Sequence, residues 1–570
     1  MIATGCRNLV SILAERAQSR PEDRTVTFLQ DGERDERSRT FAQLHERARA
    51  IGSALLERKL TGERALLIFP PSIDYVDAFF GCLDAGVIAV PTYPPDPTRL
   101  ERTIPKLQAI ARSARPSVGL TTRELLPAVE SILAGLPEFE KVTWLATDAL
   151  EGDDGKARSL DRRGIAFLQY TSGSTATPKG VCVTHENLVH NLEHIARLAK
   201  VDSESHGVVW LPPYHDMGLI GGILQPIYGG YQTTLLSPLH FLKRPARWLE
   251  AISRVRGTHS AAPNFAFDLC ARKTPPEVRQ GLDLSSWRMV CHGAEPVRAE
   301  TIDRFVETFS SCGFRRDAIY PCYGLAEGTL LVTGSEETRD PVVRSFDARA
   351  LEQRRVVASA APSARNLVAC GGTITDQKIR IVHPETLEDV KPGEIGEVWL
   401  HGASVAQGYW DQPEETARTF QAVAEDGLRY LRTGDLGFLH EGELYVTGRL
   451  KDLIIIRGRN IYPQDVEATV ERASEAVRPG GSCAFSIDLG DERLVVVAEV
   501  RDGEPEVHEE ALDRIRAAVA REHSVSVGML ALVAQGGLPK TSSGKLQRNA
   551  TREALFSGAL PVLARANHEE

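Results

Sequence analysis

The segment from Tyr170 to Gly180 combines residue types that few structural settings require together. It contains five Ser or Thr hydroxyls, two glycines and a lysine, and it follows the apolar run 165–168. Glycines let a backbone approach a ligand closely, amides and hydroxyls donate to anionic oxygens, and a lysine adds positive charge. The segment therefore favours a phosphate-binding loop after a buried strand. The alternative is a flexible polar turn before a helix that Thr184 caps.

The order of residues at the end of this loop excludes the commonest phosphate-binding motif. A Walker A loop ends in Gly-Lys-Ser/Thr, whereas this chain has Lys179-Gly180-Val181. A simple P-loop NTPase is therefore disfavoured.

Length and composition indicate an enzyme of more than one domain. The chain has 570 residues, of which 42% are hydrophobic, enough for several large cores. It lacks a run of about 18 apolar residues, and Met1–Arg7 has no signal-peptide apolar region, so we expect a cytoplasmic location and no transmembrane segment. The formal net charge of -10 argues against a general nucleic-acid binder.

Cysteine spacing gives no sign of a metal or disulfide framework. The nine cysteines are scattered, without a CxxC motif or paired Cys/His spacing. Neither disulfides nor a zinc site are predicted, and most thiols are expected to be small buried side chains.

Helical and strand-like patterns alternate along most of the chain. Residues 41–56 and 73–85 show helical periodicity, and each precedes a short buried strand. Similar strands are predicted at 208–211, 233–236, 289–291 and 318–320. The pattern predicts an α/β architecture with largely buried strands, whose ligands bind beyond the carboxyl ends of the strands.

A smaller α+β unit is predicted after a boundary near Gly448–Asp452. About 120 residues with their own helices and strands can form an independent domain. Its lysine-bearing loop is Leu538–Arg548. The predicted elements are a strand at 453–456, a helix at 463–473, a strand at 494–500, a helix at 509–522 and a last strand at 529–533.

Three further motifs carry polar groups at strand ends. His215 lies beside an aspartate in a Pro-bounded loop, which suits either catalysis or a structural hydrogen bond. Tyr323 could stack on a base and Glu327 could bind Mg²⁺, although a core tyrosine and a solvated glutamate are the simpler interpretation. Asp435, on a glycine turn, could accept hydrogen bonds from ribose hydroxyls or merely stabilise the turn.

Together these motifs resemble the adenylate-forming superfamily of acyl-CoA synthetases, nonribosomal peptide adenylation domains and luciferases. Its five motifs occur in the expected order over nearly the whole chain, at 170–180, 323–327, 430–435, 448–452 and 539–545. The resemblance implies a large N-terminal domain of several subdomains (residues 1–450) and a small mobile C-terminal domain (451–570). It also implies activation of a carboxylate by ATP, giving an acyl adenylate and pyrophosphate.

The resemblance also implies roles for individual residues. Lys545 matches the catalytic lysine, where a preorganised cation stabilises charge as a carboxylate attacks the α-phosphate. Glu327 matches the Mg²⁺ ligand, and Lys451 matches the hinge of the small domain. The residues that match ATP- and AMP-binding positions are Thr171, Ser172, Gly173, Ser174, Thr175, Lys179, Tyr323, Gly324, Asp435 and Arg449.

Within the superfamily the chain resembles fatty acyl-AMP ligases. The loop at 91–97 and the segments 211–222 and 448–460 carry this likeness. That branch delivers the acyl group to the phosphopantetheine arm of an acyl carrier protein, and an insertion in the large domain distinguishes it. The stretch 342–372 resembles that insertion. The alternative is an ordinary surface excursion, although long structureless loops are uncommon in compact domains.

The substrate is expected to be a medium- or long-chain fatty acid, with ATP and Mg²⁺ as cofactors. An acyl chain needs an apolar tunnel and gains about 0.8 kcal/mol per buried CH₂. The segments 221–225 and 261–267 could line it, with Gly221, Ile223, Asn264 and Phe265 as candidates, or they could be core packing. The acceptor is expected to be a carrier protein or a polyketide synthase carrier domain on a separate chain. A fatty acyl-CoA synthetase and a non-catalytic adenylate-binding regulator are the alternatives.

Overall fold

The fold was analysed in a computed structural model. It describes residues 8–95, 100–152, 155, 161, 163–171, 178–335, 338–374, 376–456, 459–488, 492–501, 503–541 and 544–567. The predictions at Ser172, Gly173, Ser174 and Thr175 lie outside the described residues.

A six-stranded sheet carries the phosphate-loop segment at one edge. Neighbouring strands are parallel except for the last pair. Alternate residues of its strand Arg64–Ile68 enter different cores, Leu66 and Ile68 on one face and Ala65 and Leu67 on the other. Both faces are therefore covered, as expected for a mainly parallel sheet. In spatial order the strands are Thr143–Ala146, Val118–Thr121, Arg64–Ile68, Ile88–Thr92, Ile165–Thr171 and Lys179–Thr184.

A seven-stranded sheet lies against the same central core. It is parallel except at one edge, where Glu36–Thr40 pairs in antiparallel orientation. Apolar residues of both sheets and of the helices Phe41–Glu57 and Ile73–Ala85 share one hydrophobic cluster. The strand order is Ile319–Pro321, Met289–His292, His259–Ala262, His206–Val209, Gln232–Leu236, Arg24–Leu29 and Glu36–Thr40.

Antiparallel sheets complete the part of the chain before residue 450. One is built around the long strand Arg429–His440, which pairs with Gly396–His401, Glu443–Arg449 and Ala422–Val423, and Lys378–Val382 pairs with Gly396–His401. A smaller sheet joins Tyr323–Gly324, Leu331–Gly334 and Gly372–Thr373.

The two helices that periodicity predicted before residue 450 are present as Phe41–Glu57 and Ile73–Ala85. Thr184 caps His185–Leu198 with a reciprocal Thr184–Asn187 capping box, as predicted. The helices are Leu9–Ser19, Phe41–Glu57, Ile73–Ala85, Leu100–Ala114, Leu126–Leu133, His185–Leu198, the π-helix Met217–Leu224, Gln225–Gly229, Pro238–Lys243, Ala246–Val255, Asn264–Lys273, Pro276–Arg279, Ala299–Phe309, Ala348–Glu352 and Pro413–Phe420.

The stretch 342–372 is folded and packed. Val343–Phe346 pairs with Arg365–Val368, and the helix Ala348–Glu352 lies between them. Phe346, Leu351 and Leu367 are buried in a hydrophobic cluster with Phe438 and Tyr445. Hydrophobic burial therefore holds this stretch on the antiparallel sheet.

The C-terminal unit has its own core. A four-stranded sheet in the order Val477–Asp488, Glu492–Val500, Val527–Val533 and Val562–Asn567 packs with the helices Pro463–Ala473, Pro505–His523 and Arg548–Phe556. Ile454–Ile456 pairs in antiparallel orientation with Arg459–Ile461. The prediction that the strand near 529–533 is the last was wrong, because Val562–Asn567 pairs with it. That edge strand is mostly exposed and lacks a buried apolar run.

Among the described residues, no helix has both the length and the apolar character needed to cross a bilayer. The eight cysteines of the described part of the chain are all free thiols.

Candidate active site

A cleft of about 3100 Å³ lies between the large N-terminal part and the C-terminal unit. Every predicted site residue that the structure describes lines this cleft, with one exception, Ile223. The residues come from the ends of strands in both large sheets, from the antiparallel sheet and from the loop before Arg548. Tertiary structure thus brings the five sequence motifs to one place.

The two ends of the phosphate-loop segment meet across an antiparallel pair. Thr171 pairs with Lys179 at the edge of the six-stranded sheet. The Lys179 Nζ lies 3.4 Å from Glu415 Oε1 and 4.9 Å from the centre of the Tyr409 ring. An ammonium over an aromatic face and beside a carboxylate is held in place before any phosphate arrives.

Glu327 is tied to the same tyrosine. The Tyr409 hydroxyl donates a 2.8 Å hydrogen bond to Glu327 Oε1. Burial, reinforced by the Glu327 carboxylate, raises the pKa of the Tyr409 phenol, so it remains a donor. One tyrosine therefore orients both the lysine and the carboxylate predicted to act on phosphate and Mg²⁺.

The predicted nucleoside-binding residues form a connected chain of contacts. The Tyr323 hydroxyl donates to Asp435 Oδ2 at 2.7 Å, and Asp435 Oδ1 lies 3.1 Å from Arg449 Nε. The Asp435 charge is the main reason that the pKa of Arg449 is raised. Asp435 is buried, and this two-sided contact fixes its carboxylate in the cleft.

Gly324 is required by packing beside this chain of contacts. A Cβ atom at Gly324 would lie 1.9 Å from the Leu330 carbonyl oxygen. Any side chain would therefore push the tyrosine turn away from the cleft.

Lys545 lies among acidic groups of the large part. Burial lowers the pKa of its ammonium, and the positive charge of Arg449 lowers it further. The Asp216 carboxylate opposes this shift most strongly, and Glu295 and Asp435 oppose it to a smaller extent. Conversely, burial raises the pKa of Asp216, but His215, and then Lys545, hold it below its ordinary value. The C-terminal lysine therefore interacts electrostatically with the loop that carries the predicted His215.

His215 itself is oriented by its neighbour in sequence. Its Nδ1 lies 2.6 Å from Asp216 Oδ1, and that same oxygen accepts a 2.7 Å hydrogen bond from the Met217 amide. The Asp216 carboxylate thus also caps the π-helix Met217–Leu224. Both the structural and the catalytic interpretations of the His-Asp pair fit this geometry.

Phe265 contacts the lysine loop directly. Gly544 has a φ of +85°, and a Cβ there would lie 2.9 Å from a ring carbon of Phe265. The Phe265 ring also packs edge-on against Trp210, whose ring stacks on Phe241 with centroids 3.9 Å apart. These three rings form an aromatic wall next to Lys545, in which Phe265 lines the cleft and Trp210 and Phe241 are buried behind it.

Two of the other predicted acyl-binding residues, Gly221 and Asn264, lie at the cleft. Gly221 lines the cleft, and Leu330 is the nearest neighbour of a Cβ placed there, at 3.5 Å. Asn264 also lines the cleft, but its amide is engaged by the Pro296 carbonyl, the His292 ring and the Arg298 amide. Asn264 therefore shapes the wall and has little capacity left for a ligand.

Ile223 does not lie where the sequence analysis expected an acyl-binding residue. Its side chain is buried in the central hydrophobic cluster and does not line the cleft. The glycines near it also serve the backbone, since Gly222 packs on Val209 and Gly230 has a φ of +74° at a helix end. Burial of successive turns of Met217–Leu224 explains the error, because only one face of this helix reaches the cleft.

Lys451 occupies a short 3₁₀ turn, Leu450–Asp452, directly after the strand that ends at Arg449. Its side chain is exposed at the border of the cleft. Its role as a hinge stays a prediction.

Sequence reasoning missed two residues of this site. Tyr409 and Glu415 contact Lys179 only through folding, and neither lies in one of the motifs singled out in the sequence. Asp216 was noted only as the neighbour of His215, without a role of its own.

Comparison with known proteins places this geometry in a family. The profile of the family described as AMP-binding enzyme matches residues 13–410. The chain belongs to the AMP-binding enzymes. A second profile, described as the AMP domain of Disco-interacting protein 2-like proteins, matches residues 451–565 of this AMP-binding enzyme.

Relatives place it more finely, on the fatty acyl-AMP ligase branch. JamA of Moorena producens, named a medium-chain-fatty-acid–[acyl-carrier-protein] ligase, is 44% identical over 97% of this chain and 95% of its own length. FadD25 of Mycobacterium tuberculosis, named as a putative fatty-acid–CoA ligase, is 37% identical over 95% and 96%. A solved Legionella pneumophila fatty acyl-adenylate ligase, in complex with acyl adenylate and pyrophosphate, is 39% identical, with a TM-score of 0.75 over 99% of this chain and 98% of its own.

Proposed function

We propose that this protein uses ATP to activate a medium- or long-chain fatty acid as an acyl adenylate and releases pyrophosphate. It then transfers the acyl group to the phosphopantetheine thiol of a separate acyl carrier protein or polyketide synthase carrier domain. The observation that carries the proposal is the arrangement of Lys545, which the C-terminal unit presents to the cleft containing Lys179, Glu327 and Asp435.

The charges of the cleft suit the adenylation step. In that step a carboxylate oxygen forms a bond to the α-phosphorus and the bond to the bridging oxygen of pyrophosphate breaks. Two anions must approach each other, so fixed cations lower the barrier without a side-chain nucleophile. Lys545 supplies one cation, and Lys179, held by Tyr409 and Glu415, supplies another.

Asp435 and Glu327 suit the remaining polar contacts. Asp435 would accept hydrogen bonds from the ribose, since Tyr323 and Arg449 fix its carboxylate. Glu327 fits Mg²⁺, because that ion prefers one or two carboxylates plus substrate phosphates and Tyr409 orients this carboxylate. When bound, Mg²⁺ would neutralise phosphate charge.

The aromatic wall suits an apolar acid. Phe265, Trp210 and Phe241 form a continuous set of ring contacts next to the Lys545 loop. A fatty acid whose carboxylate lies near Lys545 would meet the Phe265 ring of this wall, since Trp210 and Phe241 are buried behind it. The names of JamA and of the Legionella ligase, both fatty-acid enzymes, favour the same class of substrate.

The stretch 342–372 bears on the acceptor, because it holds the C-terminal unit. Arg365 lies 3.1 Å from Asp465, and Glu352 lies 2.7 Å from Arg459. Asn460 also donates to the Glu352 carbonyl at 2.7 Å. These contacts would restrain rotation of the small domain about Lys451 and so influence which thiol reaches the acyl adenylate.

One experiment separates the carrier-protein ligase from an acyl-CoA synthetase, the function that the name of FadD25 favours. The full chain is incubated with ATP, Mg²⁺ and fatty acids of graded length, with CoA or with a phosphopantetheinylated carrier protein. We expect acyl-AMP to accumulate with CoA present and the acyl group to move to the carrier protein. Rapid acyl-CoA formation would overturn the proposal, and Lys545→Ala should abolish acyl-AMP formation in either case.

A further inference from the structure

A cluster of two histidines and an aspartate lies outside the proposed active site. His190 and His194 are four residues apart on the helix His185–Leu198, so both imidazoles project from one face. Asp376 comes from a loop 186 residues after His190. The ligand atoms of the three side chains all lie within 4.8 Å of one another.

The distances within the cluster are close to those of a metal site. The Asp376 carboxylate lies 2.7 Å from His190 Nε2 and 2.9 Å from His194 Nε2, and the two Nε2 atoms are 3.2 Å apart. Tetrahedral Zn²⁺ with ligand bonds of about 2.0 to 2.1 Å requires donor atoms about 3.3 Å apart. All three distances are shorter than this, so the cluster would expand by a few tenths of an ångström to hold the ion.

The short contact between the two nitrogens is compatible with a cation between them. A single proton on either Nε2 would make the contact a hydrogen bond, whereas lone pairs on both Nε2 atoms would repel each other unless a cation lay between them. A metal ion requires both nitrogens to be deprotonated and uses both lone pairs.

A neighbouring hydroxyl orients one of the ligands. His190 Nδ1 lies 2.7 Å from Ser404 Oγ, which also accepts a 3.0 Å hydrogen bond from the Asn191 amide. If Nδ1–H donates to this oxygen, Nε2 keeps its lone pair, which is the tautomer that metal-bound histidines adopt. Ser404 is fully buried.

The cluster joins segments that border the proposed active site without entering it. The helix His185–Leu198 begins one residue after the strand Lys179–Thr184, and Ser404 lies five residues before Tyr409. The Ser404 carbonyl also accepts a 2.6 Å hydrogen bond from Thr329, two residues after Glu327. A metal ion here would therefore stabilise the segments that position Lys179 and Glu327.

We infer that His190, His194 and Asp376 form a binding site for a transition-metal ion such as Zn²⁺, with a solvent molecule as the fourth ligand. Two imidazoles and one carboxylate suit Zn²⁺, Co²⁺ or Ni²⁺, whereas Mg²⁺ and Ca²⁺ prefer oxygen donors. The Asp376 side chain is 56% exposed, which leaves the open side of the site accessible to water. The site is separate from Glu327 and does not depend on the proposed function.

The test is Co²⁺ binding to the tag-free full chain after removal of metals, with Mg²⁺ in excess to occupy oxygen-rich sites. Co²⁺ reports four-coordinate imidazole ligation by its visible absorption. We expect one such Co²⁺ per chain, displaced by Zn²⁺, and a thermal unfolding temperature that rises with added Zn²⁺. Asp376→Asn should weaken Co²⁺ binding by more than about tenfold, and the double variant His190→Gln/His194→Gln should abolish the absorption band.

Asp340→Asn is the matched control, since Asp340 is an exposed carboxylate of the same domain outside the cluster. It should bind Co²⁺ like the wild type. Absence of the band in the folded wild-type chain, or equal binding by Asp376→Asn, would overturn the inference and leave only a hydrogen-bonded His-Asp-His group. Should the double histidine variant fail to fold, the exposed Asp376→Asn substitution decides the result alone.

Discussion

Gly544 packs directly against the ring of Phe265, and this contact joins the loop of the C-terminal lysine to the aromatic wall of the cleft. Gly544 is in the left-handed region, with a φ of +85°, and a Cβ there would come within 2.9 Å of the ring. The absence of a side chain at residue 544 therefore lets the loop that carries Lys545 lie against this ring.

Gly544→Ala should consequently impair adenylation. The left-handed backbone costs an alanine about 1 to 2 kcal/mol, and the contact with Phe265 adds a steric penalty. We expect acyl-AMP formation to fall by more than about tenfold, while circular dichroism shows an unchanged fold.

Gly536→Ala provides the control for that substitution. Gly536 has a similar φ of +78°, but a Cβ there meets nothing within 4 Å. It should lose stability to a similar extent and keep most of its adenylation rate. Equal losses of rate in the two variants would show that backbone strain, and not the Phe265 contact, is responsible.

Asp216 should set the alkaline limit of adenylation through Lys545. Its carboxylate counteracts the burial that lowers the pKa of Lys545. Removal of that charge by Asp216→Asn should lower the pKa further, so the active ammonium is lost at a lower pH. The alkaline limb of kcat/KM for acyl-AMP formation should shift to lower pH, with Asp340→Asn as an unshifted control. An unchanged alkaline limb in Asp216→Asn would show that deprotonation of Lys545 does not cause the loss of activity at high pH.

Glu327→Gln should raise the Mg²⁺ requirement. The substitution removes the charge of the proposed ligand while it retains the side-chain size. We expect the Mg²⁺ concentration for half-maximal activity to increase by about tenfold or more. Tyr409→Phe removes the hydroxyl that donates to Glu327 Oε1 and should give a smaller increase. An Mg²⁺ titration identical to that of the wild type would rule out the ligand role of Glu327.

Lys451→Pro should impair acyl transfer more than adenylation. Proline fixes φ and removes the backbone donor in the turn between Arg449 and the C-terminal unit. Single-turnover measurement of acyl-AMP formation and of acyl transfer to the carrier protein would separate the two steps. Lys451→Ala, which leaves φ free, serves as the control. Equal losses in both steps would argue against rotation about this residue.

The amino-acid sequence determined the local elements and the chemical character of the site. Apolar runs and periodicity located the strand Ile165–Thr171 and the helix Pro463–Ala473, and Thr184 indicated the start of the helix His185–Leu198. Lys179, Glu327 and Asp435 were singled out as polar residues near glycine turns and strand ends. The roles of Glu327 and Asp435 were assigned only from the resemblance of the combined motifs to the adenylate-forming superfamily.

Tertiary structure alone decided which side chains face one another. Ile223 is apolar, as a tunnel-lining residue would be, but the orientation of its helix places its side chain in the core. Tyr409 became part of the site by contacting Lys179 and Glu327. Asp376 joined His190 and His194 from 186 residues away along the chain. Contacts at such separations depend on how sheets and loops pack, so local periodicity and residue spacing carry no record of them.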